Sequence, residues 1–212
     1  MNILKSNFFR NFTFFKYLII TACCIFTQNI YAKDITEAEA ATQYFDQLIH
    51  KTINILQDNS ISKEEKSKKV RQIIQKEIDA QWMAKYVLGR NIRDLTKEKK
   101  QEFRRVYAQY ISAVYSDLIQ DYTNQQVSIL RTQELDRGEF IITTEIFQSN
   151  SQSGMKASYL IRNISSKNNE YIFKIADVIV GVSTIASQRT EFNNIIINTG
   201  IEGLIEELKK KI

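Results

Sequence analysis

The chain has 212 residues, 43% hydrophobic and 25% charged, with a formal net charge of +5, no proline, two cysteines and one histidine. Three of its 29 basic residues and none of its 24 acidic ones lie in the first thirty-two positions, so the remainder stands at 26 against 24. That near-neutral balance gives no case for nucleic acid, and with both cysteines at positions 23 and 24, disulfides are excluded as staples of residues 33–212.

Lys5, Arg10 and Lys16 precede an uncharged apolar stretch from Tyr17 to Phe26, and Asn29-Ile30-Tyr31-Ala32 offers a small residue for cleavage. This is the pattern of an export signal over residues 1–32, and the stretch is well short of the roughly 20 residues that a membrane-spanning helix needs. A second reading is lipoprotein processing at Ile20-Thr21-Ala22-Cys23, which leaves an acylated Cys23. The 180 residues from Lys33 on suit one domain, 33–212, with a sizeable core.

Asp34 and Glu37 stand at capping-box spacing before apolar residues at Ala38, Ala41, Phe45, Leu48, Ile55 and Leu56, which predicts a long amphipathic helix ending near Asn59. Ser62 and Glu65 open a second helix with Val70, Ile73, Ile74 and Ile78 as its stripe. Trp82 to Leu88 reads as a short helix closed by Gly89. Thr96 caps the most aromatic helix, whose stripe is Phe103, Val106, Tyr107, Tyr110, Ile111, Val114, Leu118 and Tyr122.

From Gln126 the apolar period becomes two: Val127 and Ile129, then Phe140, Ile142, Thr144 and Ile146, then Met155, Ala157, Tyr159 and Ile161. Polar turns at Asp136-Arg137-Gly138, Ser149 to Gly154 and Ser165 to Asn169 predict antiparallel hairpins in sequence order. A fourth strand, Tyr171 to Val180, is apolar on both faces. Beyond Gly181 the helical period returns, with a break at Gly200. The fold class is therefore α+β: N-terminal helices, a curved four-stranded antiparallel meander and C-terminal helices, an architecture that can enclose an apolar cavity between sheet and helices.

Catalytic chemistry has little to build on. His50 lies on a helix without a nucleophile in view, zinc and haem ligands are lacking, and neither phosphate-binding glycine pattern occurs. Asp177 stands out, because a carboxylate in an apolar strand is costly unless hydrogen-bonded or raised in pKa. An isomerase could use it with a tyrosine as donor; a strand-end aspartate more commonly caps a turn.

Several segments together resemble the MlaC (toluene tolerance) family over about residues 40 to 210. They are Ile78-Asp79, Met83-Ala84, Val87-Leu88-Gly89, Arg93, Thr96 and Phe103; Tyr115 and Tyr122; Ala157-Ser158-Tyr159-Leu160; Asp177 to Ser183; Gln188 to Ile196; and Gly200 to Leu208. The chain departs from the pattern in having Phe173 where the family usually has tryptophan, and in lacking a usually acidic residue before Gly181.

The resemblance implies a periplasmic, non-enzymatic carrier that binds a glycerophospholipid by its acyl tails, with no cofactor besides that cargo. It implies an inner-membrane ABC transporter with a lipid-binding ring subunit and an outer-membrane lipoprotein complex as partners, and the upkeep of outer-membrane lipid asymmetry as the role. A monomer is expected. The expected lining is Phe103, Tyr107, Tyr110, Val114 and Leu118 from the aromatic helix, facing Phe140, Ile142, Met155, Tyr159 and Ile161 of the sheet. The alternatives are the isomerase using Asp177 and a solid-core periplasmic adaptor or chaperone.

Overall fold

The computed structural model describes residues 35–120, 124–148, 154–165 and 170–212, with backbone alone for 117–120, and Thr36–Ile212 form one compact unit. The expected export segment with Cys23, the stripe residue Tyr122, residues 149–153 and residues 166–169 lie outside the described residues.

Helix α1 is Glu37–Gln57, and its capping box is Thr36 with Glu39 rather than the expected Asp34 with Glu37. The Glu39 amide donates to the Thr36 hydroxyl at 3.2 Å, and the Glu39 carboxylate accepts from the Thr36 amide at 2.9 Å. Both reciprocal bonds are thus satisfied two residues later than the spacing suggested. Helix α2 (Lys63–Glu77) is capped by Ser62 as predicted, and α3 (Ala80–Leu88) begins two residues early because Asp79 caps it, accepting from the Trp82 amide at 3.0 Å. A 3₁₀ turn, Gly89–Asp94, leads to the long helix α4, Lys97–Gln120, whose Lys99 amide donates to the predicted cap, Thr96.

The strands are β1 (Gln126–Asp136), β2 (Glu139–Phe147), β3 (Met155–Asn163), β4 (Phe173–Val180) and a two-residue β5 (Val182–Ser183), the last one unforeseen. Every pairing is antiparallel and the spatial order is the chain order, so the sheet is the expected meander. Register shifts in β1 on either side of Leu130 and of Leu135, and another in β4 at Ala176, bend the strands and sharpen their twist. The chain leaves β4 through Gly181 at φ +72° and enters α5 (Thr184–Lys209). Gly200 sits inside α5 at φ +73°, ψ −179°, which is the predicted break expressed as a kink between two helical stretches. The α+β class is as expected, and among the described residues no helix is long and apolar enough to cross a membrane.

The apolar interior falls into two clusters. One lies among the helices and gathers Val87, Leu88, Phe103, Tyr107, Ile111, Phe192 and Leu204 with their neighbours. The other lies between α1 and the sheet and gathers Ala41, Phe45, Phe140, Ile142, Ile161 and Phe173.

Candidate functional site

Alternation along β2 and β3 puts one set of side chains on a single sheet face. Phe140 stands opposite Ile161, Ile142 opposite Tyr159, Thr144 opposite Ala157 and Ile146 opposite Met155. This inner face carries four of the five predicted sheet residues inward, since Phe140, Ile142 and Ile161 are fully buried and Tyr159 packs against them. Met155, at the end of its strand, is 53% exposed.

Helix α1 covers that face. Phe45 sits with its ring centroid 4.6 Å from that of Tyr159, and Tyr44 lies 5.6 Å from Phe173, which in turn meets Phe140 edge-on at 6.2 Å. Phe173, where the resemblance leads one to expect tryptophan, is thus buried and fully surrounded by rings. Three polar contacts hold the N-terminal half of α1 down. Asn163 Nδ2 donates to Glu37 Oε1 at 2.7 Å, the Thr42 and Thr132 hydroxyls lie 2.7 Å apart, and the Tyr44 hydroxyl donates to the buried carboxylate of Glu77 at 3.0 Å. Burial first, then the adjacent Glu77 charge, pushes the Tyr44 phenol well above its ordinary pKa, so it stays a donor. Burial likewise raises that of Tyr159, with a hydrogen bond to Thr144 opposing it.

The predicted helix residues go elsewhere. Phe103 and Tyr107 are fully buried, Tyr110 is buried and Val114 packs beside them, all in the helical cluster against α3 and α5. The Leu118 side chain lies outside the described residues. Tyr107 is in ring contact with Phe103 at 5.7 Å and Phe192 at 6.2 Å, and its hydroxyl donates to Gln188 Oε1 at 2.7 Å. The expectation that the α4 stripe faces the sheet is therefore corrected: α1 takes the sheet's inner face, and Val178 is the strand residue packed against the helical cluster. The physical reason is that α4 has three helices, α2, α3 and α5, to bury its stripe against, while α1 has the sheet.

Two polar junctions join strands to helices. At one, Arg162 Nη1 donates to Asp79 at 2.9 Å, its Nε donates to Glu139 at 3.0 Å, and the guanidinium lies 4.7 Å over the Trp82 ring. At the other, Asp177 is buried with both oxygens engaged: Oδ2 accepts from Ser183 Oγ at 2.5 Å and Oδ1 from the Ile185 amide at 3.2 Å. Burial raises its pKa, and these same hydrogen bonds oppose the rise. Asp177 closes the N-terminus of α5, where a carboxylate is favoured by orphan amides and helix dipole. Among the described residues the buried Tyr115 hydroxyl has no well-aligned hydrogen-bond partner, and burial followed by the Asp177 charge raises its phenol pKa, with Thr184 and the Val178 backbone opposing the rise. His50 is exposed on α1, 3.7 Å from Asp46. Among the described residues no group of three or more His, Cys, Asp or Glu could hold a metal.

Two separate words of the sequence meet at the corner after α3. Gly89 adopts φ +51°, and a Cβ there would lie 2.9 Å from Arg189 Nε, whose guanidinium is 5.2 Å over the Tyr86 ring. Asn91 on the 3₁₀ turn donates to Asn193 of α5 at 3.3 Å. Sequence reasoning missed Thr42, Tyr44 and Glu77 as the groups that seat α1. Glu77 reads as the solvated end of a charged helix, and the only hint of a special role is that Tyr44 and Phe45 bring two rings to one turn.

The sequence matches the family described as MlaC protein over residues 46–210. It is 24% identical over 135 residues to the intermembrane phospholipid transport system binding protein MlaC of Haemophilus influenzae, a stretch that covers 63% of this chain and 62% of that protein. The fold resembles that of the phospholipid-binding protein from Ralstonia solanacearum in complex with a phospholipid. The TM-score is 0.65 at 16% identity, covering 83% of this chain and 97% of the other.

Proposed function

The chain belongs to the MlaC family, and from that premise we propose that it carries a glycerophospholipid through the periplasm, tails sheltered inside and headgroup outside. It shuttles between an inner-membrane ABC transporter with a lipid-binding ring subunit and an outer-membrane lipoprotein complex, and so maintains outer-membrane lipid asymmetry. Residues 1–32 act as its export signal, it works as a monomer, and phospholipid is cargo rather than cofactor.

The observation that carries this reading is the apolar inner face of the sheet, most of it covered by α1, in a fold that resembles that of a protein holding a phospholipid. The names of the relatives point to the same cargo, since one is called an intermembrane phospholipid transport binding protein and another holds a phospholipid.

The energetics suit a carrier. Two tails of ordinary length have about 30 methylenes, worth roughly 25 kcal/mol of burial against water at about 0.8 each. A bilayer offers nearly the same, so the interior has only to match it, and small differences at the docking partners set where the lipid goes. No specific headgroup ligand is required. Against a catalytic Asp177 stands its structural use, since each carboxylate oxygen accepts a hydrogen bond from the start of α5, Ser183 and Ile185.

The test is transfer of a labelled phospholipid between donor and acceptor vesicles kept apart by a membrane permeable to the protein alone. Transfer that scales with protein concentration supports the carrier. Transfer no faster than without protein refutes it and favours the adaptor or chaperone.

A further inference from the structure

We propose that the acyl tails are received between α1 and the inner face of β2–β4, in the space that α1's own side chains fill in this structure, and that α1 swings on its C-terminal end to admit them. This rests on the carrier reading and gives the tails a place.

The two-cluster interior makes such a movement feasible. Lifting α1 uncovers Phe140, Ile142, Tyr159, Ile161 and Phe173, while the helical cluster stays closed around Tyr107 and Phe192. What α1 withdraws is chemically equivalent to what a lipid brings. Phe45, Leu48 and Ile49 remove apolar sheet surface from water now, and methylenes do the same after the exchange, so the swap changes buried apolar area little.

The polar contacts of α1 are distributed as a hinge and a latch would require. Its N-terminal half is held to the rest of the fold through Glu37, Thr42 and Tyr44. Its C-terminal end is tied to the next helix, where Lys66 Nζ donates to the Leu56 carbonyl at 2.8 Å. The segment between α1 and α2, Asp58 to Ser62, is short and turns on the Asp58 carboxylate, which accepts from the Ser60 amide and hydroxyl. Releasing three hydrogen-bonded contacts near one end therefore frees a rod that remains anchored at the other.

A lock tests this directly. The Thr42 and Thr132 hydroxyls are 2.7 Å apart, so cysteines at those positions have side chains that reach each other for a disulfide. In the full chain carrying C23A and C24A no other thiol is present. The control pair, Thr143→Cys with Ser158→Cys, joins hydroxyls 3.1 Å apart across β2 and β3, two strands that stay together in either case. Uptake is read as labelled phosphatidylethanolamine leaving vesicles for the protein.

Oxidised T42C/T132C should take up lipid no faster than the protein-free background and recover on reduction, while the oxidised control behaves as the unlocked chain. Uptake by oxidised T42C/T132C at the unlocked rate would sink the proposal and leave the carrier reading standing. If the unlocked chain takes up nothing, the carrier reading falls and the proposal with it. Should the lock fail to close, Tyr44→Phe decides, since losing its bond to Glu77 should speed uptake about ten-fold, the factor for one hydrogen bond to a carboxylate. An unchanged rate refutes the latch.

Discussion

Phe45→Ala separates the two apolar clusters experimentally. Phe45 is 3% exposed and its ring rests on Tyr159, so truncation deletes the largest fully buried side chain that α1 contributes to the sheet interface. Large-to-small changes of this kind cost about 3–5 kcal/mol when the site cannot collapse. Because α1 is solvated along its outer side, the lower end applies, and ~3 kcal/mol corresponds to roughly a 10²-fold change in an opening equilibrium. The assay is native-state hydrogen exchange resolved by segment. Amides of α1 should exchange about 10²-fold faster, whereas amides of α4 and α5 that open without global unfolding keep their rates, because those openings report a cluster that does not contain Phe45. Equal acceleration of the locally opening amides in α4 and α5 would refute the two-cluster assignment, since it would make the interior one cooperative unit.

Three further outcomes follow from the same geometry. Phe192→Ala, in the helical cluster, should lower the global stability measured in urea by about 3–5 kcal/mol and leave the lipid bound per folded molecule unchanged; lost lipid at full stability would reverse the roles of the two clusters. Burial raises the pKa of Asp177, so the folded state holds that proton more firmly than the unfolded chain. The stability due to this group is then gained on acidification and lost as pH rises from the ordinary carboxylate value through the raised one. Relative to Asp177→Asn, the wild type should gain stability as pH falls into that window, and the opposite slope in paired urea titrations would contradict the assignment. Gly89→Ala should cost about 1–2 kcal/mol in the same measurement, because φ +51° strains any residue with a Cβ and the added carbon meets Arg189; an unshifted midpoint would show that the backbone relaxes freely there.

Element types were readable because each obeys one period over its whole length. Phe103 to Val114 keeps helical spacing, Phe140 to Ile146 alternates, and Gly181 and Gly200 mark the turn and the kink where left-handed backbone is needed. Which apolar face meets which was not readable, because a stripe states that it is buried and not against what. The α4 tyrosines and all the inner sheet residues but Met155 lie in the interior, yet α1 stands over the sheet and α2, α3 and α5 take the stripe. The seating of α1 was hidden for a related reason. Thr42 and Thr132 are ninety positions apart and each is an ordinary surface threonine in isolation, so only the fold makes them a pair. Asp177 shows the converse, since its isolation among apolar neighbours was legible and its role as the closing carboxylate of α5 depended on where Ser183 and Ile185 fall.

The measurement closest to the central claim is native mass spectrometry of the purified protein before and after solvent extraction. A carrier should show an added mass equal to a two-tailed phospholipid on the untreated protein, lost on extraction and restored by incubation with vesicles. A single unliganded mass throughout, unaltered by vesicles, would contradict it.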